Sequence, residues 1–237
     1  MKKVTPALLL GMIVVILTVS GCASVIGRGP LITKEEYVGE FSGVNVSHAF
    51  NVYITKSDRY RVEINTNENL LPFLVLENQG GILRLGFRSN VRLSHTTCEA
   101  YIEMPEIREI RFSGATRGEL IGDWSMENLE VDMSGASRLK GRVVVDELKA
   151  ELSGASNLSL AGRADRVDLS GSGASGFDMH DFTGSDATVH MSGASHATLT
   201  VYENLNAKLS GASSLKYRGN PKLSSLHTSG ASSIHKF

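Results

Sequence analysis

Cysteine is scarce in this chain, with Cys22 and Cys98 the only two among 237 residues. A disulfide framework is excluded, because two sulfurs allow one bridge at most and one of them ends a leader. Aromatic residues are few, at 6%, which argues against thick, aromatic-filled cores. Charge of one sign is also missing: the formal net charge is −1, and without Lys2 and Lys3 it is −3. With no basic patch to neutralise phosphates, a nucleic-acid partner is not expected. No phosphate loop or dinucleotide fingerprint occurs, so no cofactor is expected. The Gly-Ser-Gly at 171–173 is one copy of a repeat with an extra glycine, and no helix follows it.

The first 21 residues read as a lipoprotein signal peptide. Lys2 and Lys3 form the charged start, and an apolar run follows from Pro6 to Val19. As a helix, those 14 residues would reach about 21 Å, short of the ~30 Å that a span requires. Val19-Ser20-Gly21-Cys22 looks like a bacterial lipobox, which implies a lipid on Cys22 and a membrane partner through that lipid. Ala23 in place of Asp favours the outer membrane in a diderm, or otherwise the outer face of the cytoplasmic membrane. Residues 22–35 contain Gly27, Gly29 and Pro30 without periodicity and read as a lipidated, flexible tether.

What the chain has in abundance is glycine, 24 residues, and much of it recurs at a fixed period. Ser-Gly-Ala units start at Ser113, Ser134, Ser153, Ser172, Ser192, Ser210 and Ser229, with intervals of 21, 19, 19, 20, 18 and 19. A period near 20 marks a stacked array. Before each unit, apolar positions (Phe112, Met133, Leu152 and Ile110, Val131, Leu169) alternate with polar ones (Arg111, Asp132, Glu151 and Glu109, Glu130, Asp168). Period 2 means a strand with one buried face. A second alternating stretch follows each bend. The fold class is therefore all-β: a single-stranded parallel β-helix, or β-solenoid, with about seven regular coils of ~19 residues over 107–237.

Residues 36–106 alternate less regularly, as in Phe50, Val52 and Ile54. They are expected to form irregular N-terminal coils continuous with the same core, so that the β-solenoid domain spans 36–237. Asn69-Leu70-Leu71-Pro72 reads as one short helical turn. Cys98, Ala100, Ile102 and Met104 alternate, which makes Cys98 a small core residue. The stretch Ser232–Phe237 shows no cap, and that solenoid end offers a route to self-association.

The leader, Phe41-Ser-Gly-Val-Asn-Val, Asn67-Glu-Asn-Leu-Leu and the serial Ser-Gly-Ala-Ser bends together resemble one family, the bacterial auto-transporter adhesin head GIN domain. The resemblance covers about residues 36–237 and implies an exported β-solenoid with an adhesin-like role. It supplies no catalytic residues to carry over.

The outward columns carry the candidate chemistry. Asp132 and Glu151 fall on adjacent coils and are the nearest approach to a cation or carboxylate site, as a polysaccharide-cleaving β-helix would need. His190 and His227 share a column two coils apart, about 10 Å, too far for one metal. The column after each bend varies while the frame stays fixed: Arg117, Arg138, Asn157 and His196 are its candidate recognition residues. The reading is a non-enzymatic, lipid-anchored envelope or cell-surface protein, with a glycan or envelope protein as partner. A carbohydrate-active enzyme is the alternative.

Overall fold

The computed structural model describes residues 23–89 and 91–237. Each regular coil is one long bent strand, such as Arg138–Leu152, Asn157–Gly171, Gly176–Met191 and His196–Leu209. Four residues separate one coil from the next, and they are the Ser-Gly-Ala-Ser bends. All pairing between these coils is parallel, and the positions flanking each bend are in register, so Asp132 lies beside Glu151 and Arg138 beside Asn157. The β-solenoid makes about seven turns at ~19-residue spacing, as its periodicity predicts.

The bends stack because their backbones bond across coils. The Ala136 N–H donates to the Gly114 carbonyl at 2.6 Å, Ala155 to Gly135 at 2.7 Å and Ala174 to Gly154 at 2.7 Å. Each bend glycine has a left-handed φ between 70° and 75°, a conformation costly for any residue with a Cβ. A Cβ on Gly154 would also stand 2.5 Å from the Gly135 carbonyl oxygen. Close stacking and positive φ thus require glycine twice over.

The parallel ladder skips the carbonyl of the bend's first serine, and in most bends a buried hydroxyl three residues on satisfies it; Ser175 is the exception, its Oγ lying 3.1 Å from Ser195 Oγ. Ser137 donates to the Ser134 carbonyl at 2.8 Å, Ser156 to Ser153 at 2.8 Å and Thr116 to Ser113 at 2.8 Å. From Thr116 to Ser213 the last residue of the bend is therefore an inward polar plug, while the alanine faces out.

The inward columns are not uniformly large, and their exceptions compensate. Several coils pair two sizeable residues across the bend, as Leu152 with Leu158. Gly118 leaves its place to the Phe112 ring, whose Cε2 would lie 2.2 Å from an added Cβ. Gly171 does the same for Phe177, at 3.0 Å. Large and small exchange sides and the filled volume is kept.

The irregular N-terminal coils are present, but the chain does not visit them in order. Gly43–Val46 and Asn51–Lys56 form a coil stacked directly under Glu109–Phe112 and Arg117–Ile121. Ile82–Phe87 and Cys98–Met104 form a further coil outside it, parallel to it. The outer coil is closed by antiparallel strands: Leu74–Gln79 against Ile82–Phe87, Arg61–Asn67 against Cys98–Met104, and Leu31–Glu36 against Arg61–Asn67. A 3-10 turn at Glu68–Phe73 fills the expected helical position.

The tether reading needs correction from Ala23 onward. Ala23–Ile26 is a strand parallel to Val91–Ser94, and Leu31–Glu36 is part of the cap. Pairing partners distant in sequence order these residues, and their own lack of periodicity hid that. Glu103 ties the cap together by accepting from Ser57, Arg59 and Arg61. The Arg59 hydrogen bond chiefly holds its carboxyl below the usual carboxylate range.

An eighth bend lies in the first coil. Ser47-His48-Ala49-Phe50 pairs with Ser113–Thr116, the Ala115 N–H donating to the His48 carbonyl at 2.6 Å. His48 takes the glycine place at φ 75°. The next coil outward has strand, Leu85 to Phe87, where a further bend would sit. The His48 ring lies edge-on to Phe87 and accepts the Phe87 N–H at 3.3 Å. Burial pushes the imidazole below its ordinary pKa, consistent with a neutral acceptor.

Two substitutions test the bend. Gly154→Ala should destabilise by about 3 kcal/mol or more, whereas Gly80→Ala, with positive φ but open space around it, should cost about 1 kcal/mol in urea unfolding. Ser156→Ala should cost about 1–3 kcal/mol by orphaning the Ser153 carbonyl, and Ser156→Thr should restore most of it.

Candidate functional groove

Outward side chains two positions before each bend serine form one column: Asn45, Arg111, Asp132, Glu151, Ser170, His190 and Lys208. The bend serines from Ser113 to Ser210 form a second. Between them the backbone of the intervening position makes a floor, because its side chains point into the core. The result is a groove of about 780 Å³ that runs along the solenoid axis. Seven members at ~4.8 Å per coil give it a length of roughly 29 Å.

The sequence-derived candidates fall on both sides of the bend. Asp132 and Glu151 do line the groove as neighbours, but each already has a cation. Arg111 donates to Asp132 at 3.4 Å, and Lys149 stands 3.0 Å from Glu151 and from Glu130. Hydrogen bonds to Glu151 and then Glu130 hold the Lys149 ammonium above its usual pKa. The two carboxylates are thus paired sideways and do not converge on a shared ion. Among the described residues no group of three or more His, Cys, Asp or Glu could hold a metal.

Arg117, Arg138, Asn157 and His196 occupy the opposite flank, in register with one another and outside the groove. Arg117 and Arg138 are exposed neighbours. Asn157 and His196 flank Gly176, and Asp178 takes a hydrogen bond from Asn157 at 2.8 Å and lies 3.3 Å from His196. These polar groups satisfy one another on a flat face. Cys22 lies outside the described residues. Cys98 is buried in the strand its alternation predicts, and burial pushes its thiol pKa up.

Periodicity places Asp132, Glu151, His190 and His227 in the column before the bend, but does not show that this column and the bend serines face each other as two walls. The signal was available: that column is polar in every repeat, and the exposed serine two residues on never changes. What was missing was the angle between the two columns, which only the fold supplies.

Fold and groove define a parallel β-solenoid that offers an elongated, solvent-open surface with polar walls in place of a closed pocket. Residues 40–221 match the family described as "Putative auto-transporter adhesin, head GIN domain", and the chain belongs to it. No curated protein matches the chain. Solved structures are similar in fold. One, described as a putative adhesin from Bacteroides fragilis, has a TM-score of 0.84 at 20% identity, covering 90% of this chain and 100% of that one. A putative lipid binding protein from Parabacteroides distasonis has a TM-score of 0.73 at 19% identity, covering 91% and 100%. A putative adhesin from Parabacteroides merdae has 0.68 at 18%, covering 90% and 99%. The family supports a non-enzymatic, adhesin-like role. No described helix is long and apolar enough to cross a membrane.

The facing of the bend can be checked by thiol labelling of residues 23–237 carrying Cys98→Ala. Ser172→Cys, outward on the groove wall, should react at the rate of a free thiol. Ser175→Cys, inward, should react only on unfolding.

Proposed function

We propose that the protein is exported, anchored by lipid at Cys22, and binds an extended polymer along the bend groove, with a glycan of an envelope or host surface as the ligand class. The observation that carries this reading is the continuity of the groove from Asn45 to Lys208. A solenoid repeats one donor–acceptor pattern at each coil, which suits a ligand that also repeats. Serine hydroxyls both donate and accept, as sugar hydroxyls do. The sideways pairing of Asp132 and Glu151 supports binding without bond cleavage. The leader and its lipobox support the anchor.

The solenoid end supports self-association as a second property. Leu223 and Leu226 lie on the last coil and are 46% and 38% exposed. Sedimentation should show association that rises with concentration, and a monomer at high concentration would remove this property.

Two experiments test the main reading. Cys22→Ala should release the protein from the membrane fraction and abolish incorporation of labelled palmitate; retention in the membrane with the variant would refute the anchor. On a polysaccharide array the protein should bind extended polymers, and Ser153→Trp, which blocks the groove midway, should lower that binding at least about tenfold. Binding indifferent to Ser153→Trp would move the site elsewhere.

A further inference from the structure

The two halves of the groove differ in charge, and the difference names the ligand. At one half, Arg111, Asp132 and Glu151 are neutralised by neighbours. At the other, Ser170, His190 and Lys208 follow in register, and His227 continues the column on the last coil. Among the described residues Lys208 has no carboxylate within salt-bridge distance. Its column neighbours on either side are histidines, and the next wall presents the hydroxyls of Ser192 and Ser210. Ser225 Oγ lies 3.1 Å from His227 Nδ1 and so orients that ring.

The chain's charge is distributed to match. Residues 107–203 hold 15 Asp and Glu against 9 Lys and Arg, while residues 204–237 hold 5 Lys and Arg and no Asp or Glu. The unpaired Lys208 therefore sits where the groove enters the positive part of the molecule, a field that attracts anions and concentrates them locally.

We propose that this half of the groove, centred on Lys208 between His190 and His227, is a subsite for the carboxylate groups of an acidic polysaccharide. The inference rests on the reading of the groove as a polymer site and adds the class of polymer. Lys208 Nζ donates to the carboxylate, a charge-assisted bond. The flanking serines serve the sugar hydroxyls. A membrane surface is too flat to follow the groove. An acidic peptide, which has no ring hydroxyls, would leave the flanking serine hydroxyls unused.

Detergent-solubilised full-length protein should be titrated with polygalacturonate, its methyl-esterified form, dextran, poly-glutamate and phosphatidylglycerol vesicles. Polygalacturonate should bind best, with affinity that falls as salt rises. Esterification of its carboxylates should cost about tenfold or more, and Lys208→Ala should cost a similar factor. Lys208→Arg should retain binding, and circular dichroism of the exposed-site variants should match the parent. Equal binding of the esterified polymer, or no effect of Lys208→Ala, would overturn the proposal. Equal, Lys208-dependent binding of poly-glutamate or vesicles would overturn it too, by showing a general anion site. If dextran binds and Ser153→Trp blocks it while Lys208→Ala does not, the groove reading survives and the acidic subsite fails. If no polymer binds, both fail.

Discussion

The structure depends on one contact, the hydrogen bond from a bend alanine N–H to the glycine carbonyl of the preceding coil. At 2.6–2.7 Å it brings successive backbones too close for any Cβ between them. The contact repeats at every bend and so locks the register of each coil to the last. Register in turn decides which side chains face out, since a slip of one residue would turn each alternating strand over. Every outward column, and hence the groove, follows from glycines that never touch a ligand.

The same constraint explains where length variation is tolerated. Intervals between bends run from 18 to 21 residues, yet the bends stay aligned. The extra and missing residues are absorbed between Glu119 and Trp124 and at register shifts between Leu158 and Gly162, between Asp178 and Asp186 and between Leu205 and Asn206. Those positions lie in the body of the coil, away from the bend. The groove beside the bends therefore keeps an even spacing, while the far side of the solenoid is free to bulge. A ligand with its own repeat needs the even side.

The solenoid was legible because period-2 alternation sits inside a 19-residue period, and stacking coils of that period buries all the apolar columns at once. The anomalies in those columns were legible only in pairs: Gly118 makes sense beside Phe112, and Gly171 beside Phe177. The first bend escaped notice because His48 stands where glycine is required elsewhere, and because 66 residues separate Ser47 from Ser113. The groove was half visible. Asp132, Glu151 and His190 stand out in the sequence, but only as groups whose convergence the fold decides. Sequence cannot show that residues on seven coils share one trough, because the trough is made by the angle of the bend. The N-terminal strands were illegible for a related reason: Leu31–Glu36 has no amphipathic pattern of its own and is ordered by Arg61–Asn67.

The interleaved start of the chain fixes a direction of assembly. The coil made first, Gly43–Lys56, is held between a coil made later on one side and Glu109–Ile121 on the other. Antiparallel strands then close the outer side, leaving one growing face. Each further coil can dock only on the coil before it, in chain order. Most pairing partners from residue 109 on are about 19 residues apart, so each closure costs a similar, modest loop entropy. The slow event is the first one, where strands on either side of a long detour must meet before any zipper exists. This solenoid is therefore expected to nucleate at its capped end and to lengthen from there, in contrast to arrays that can begin anywhere.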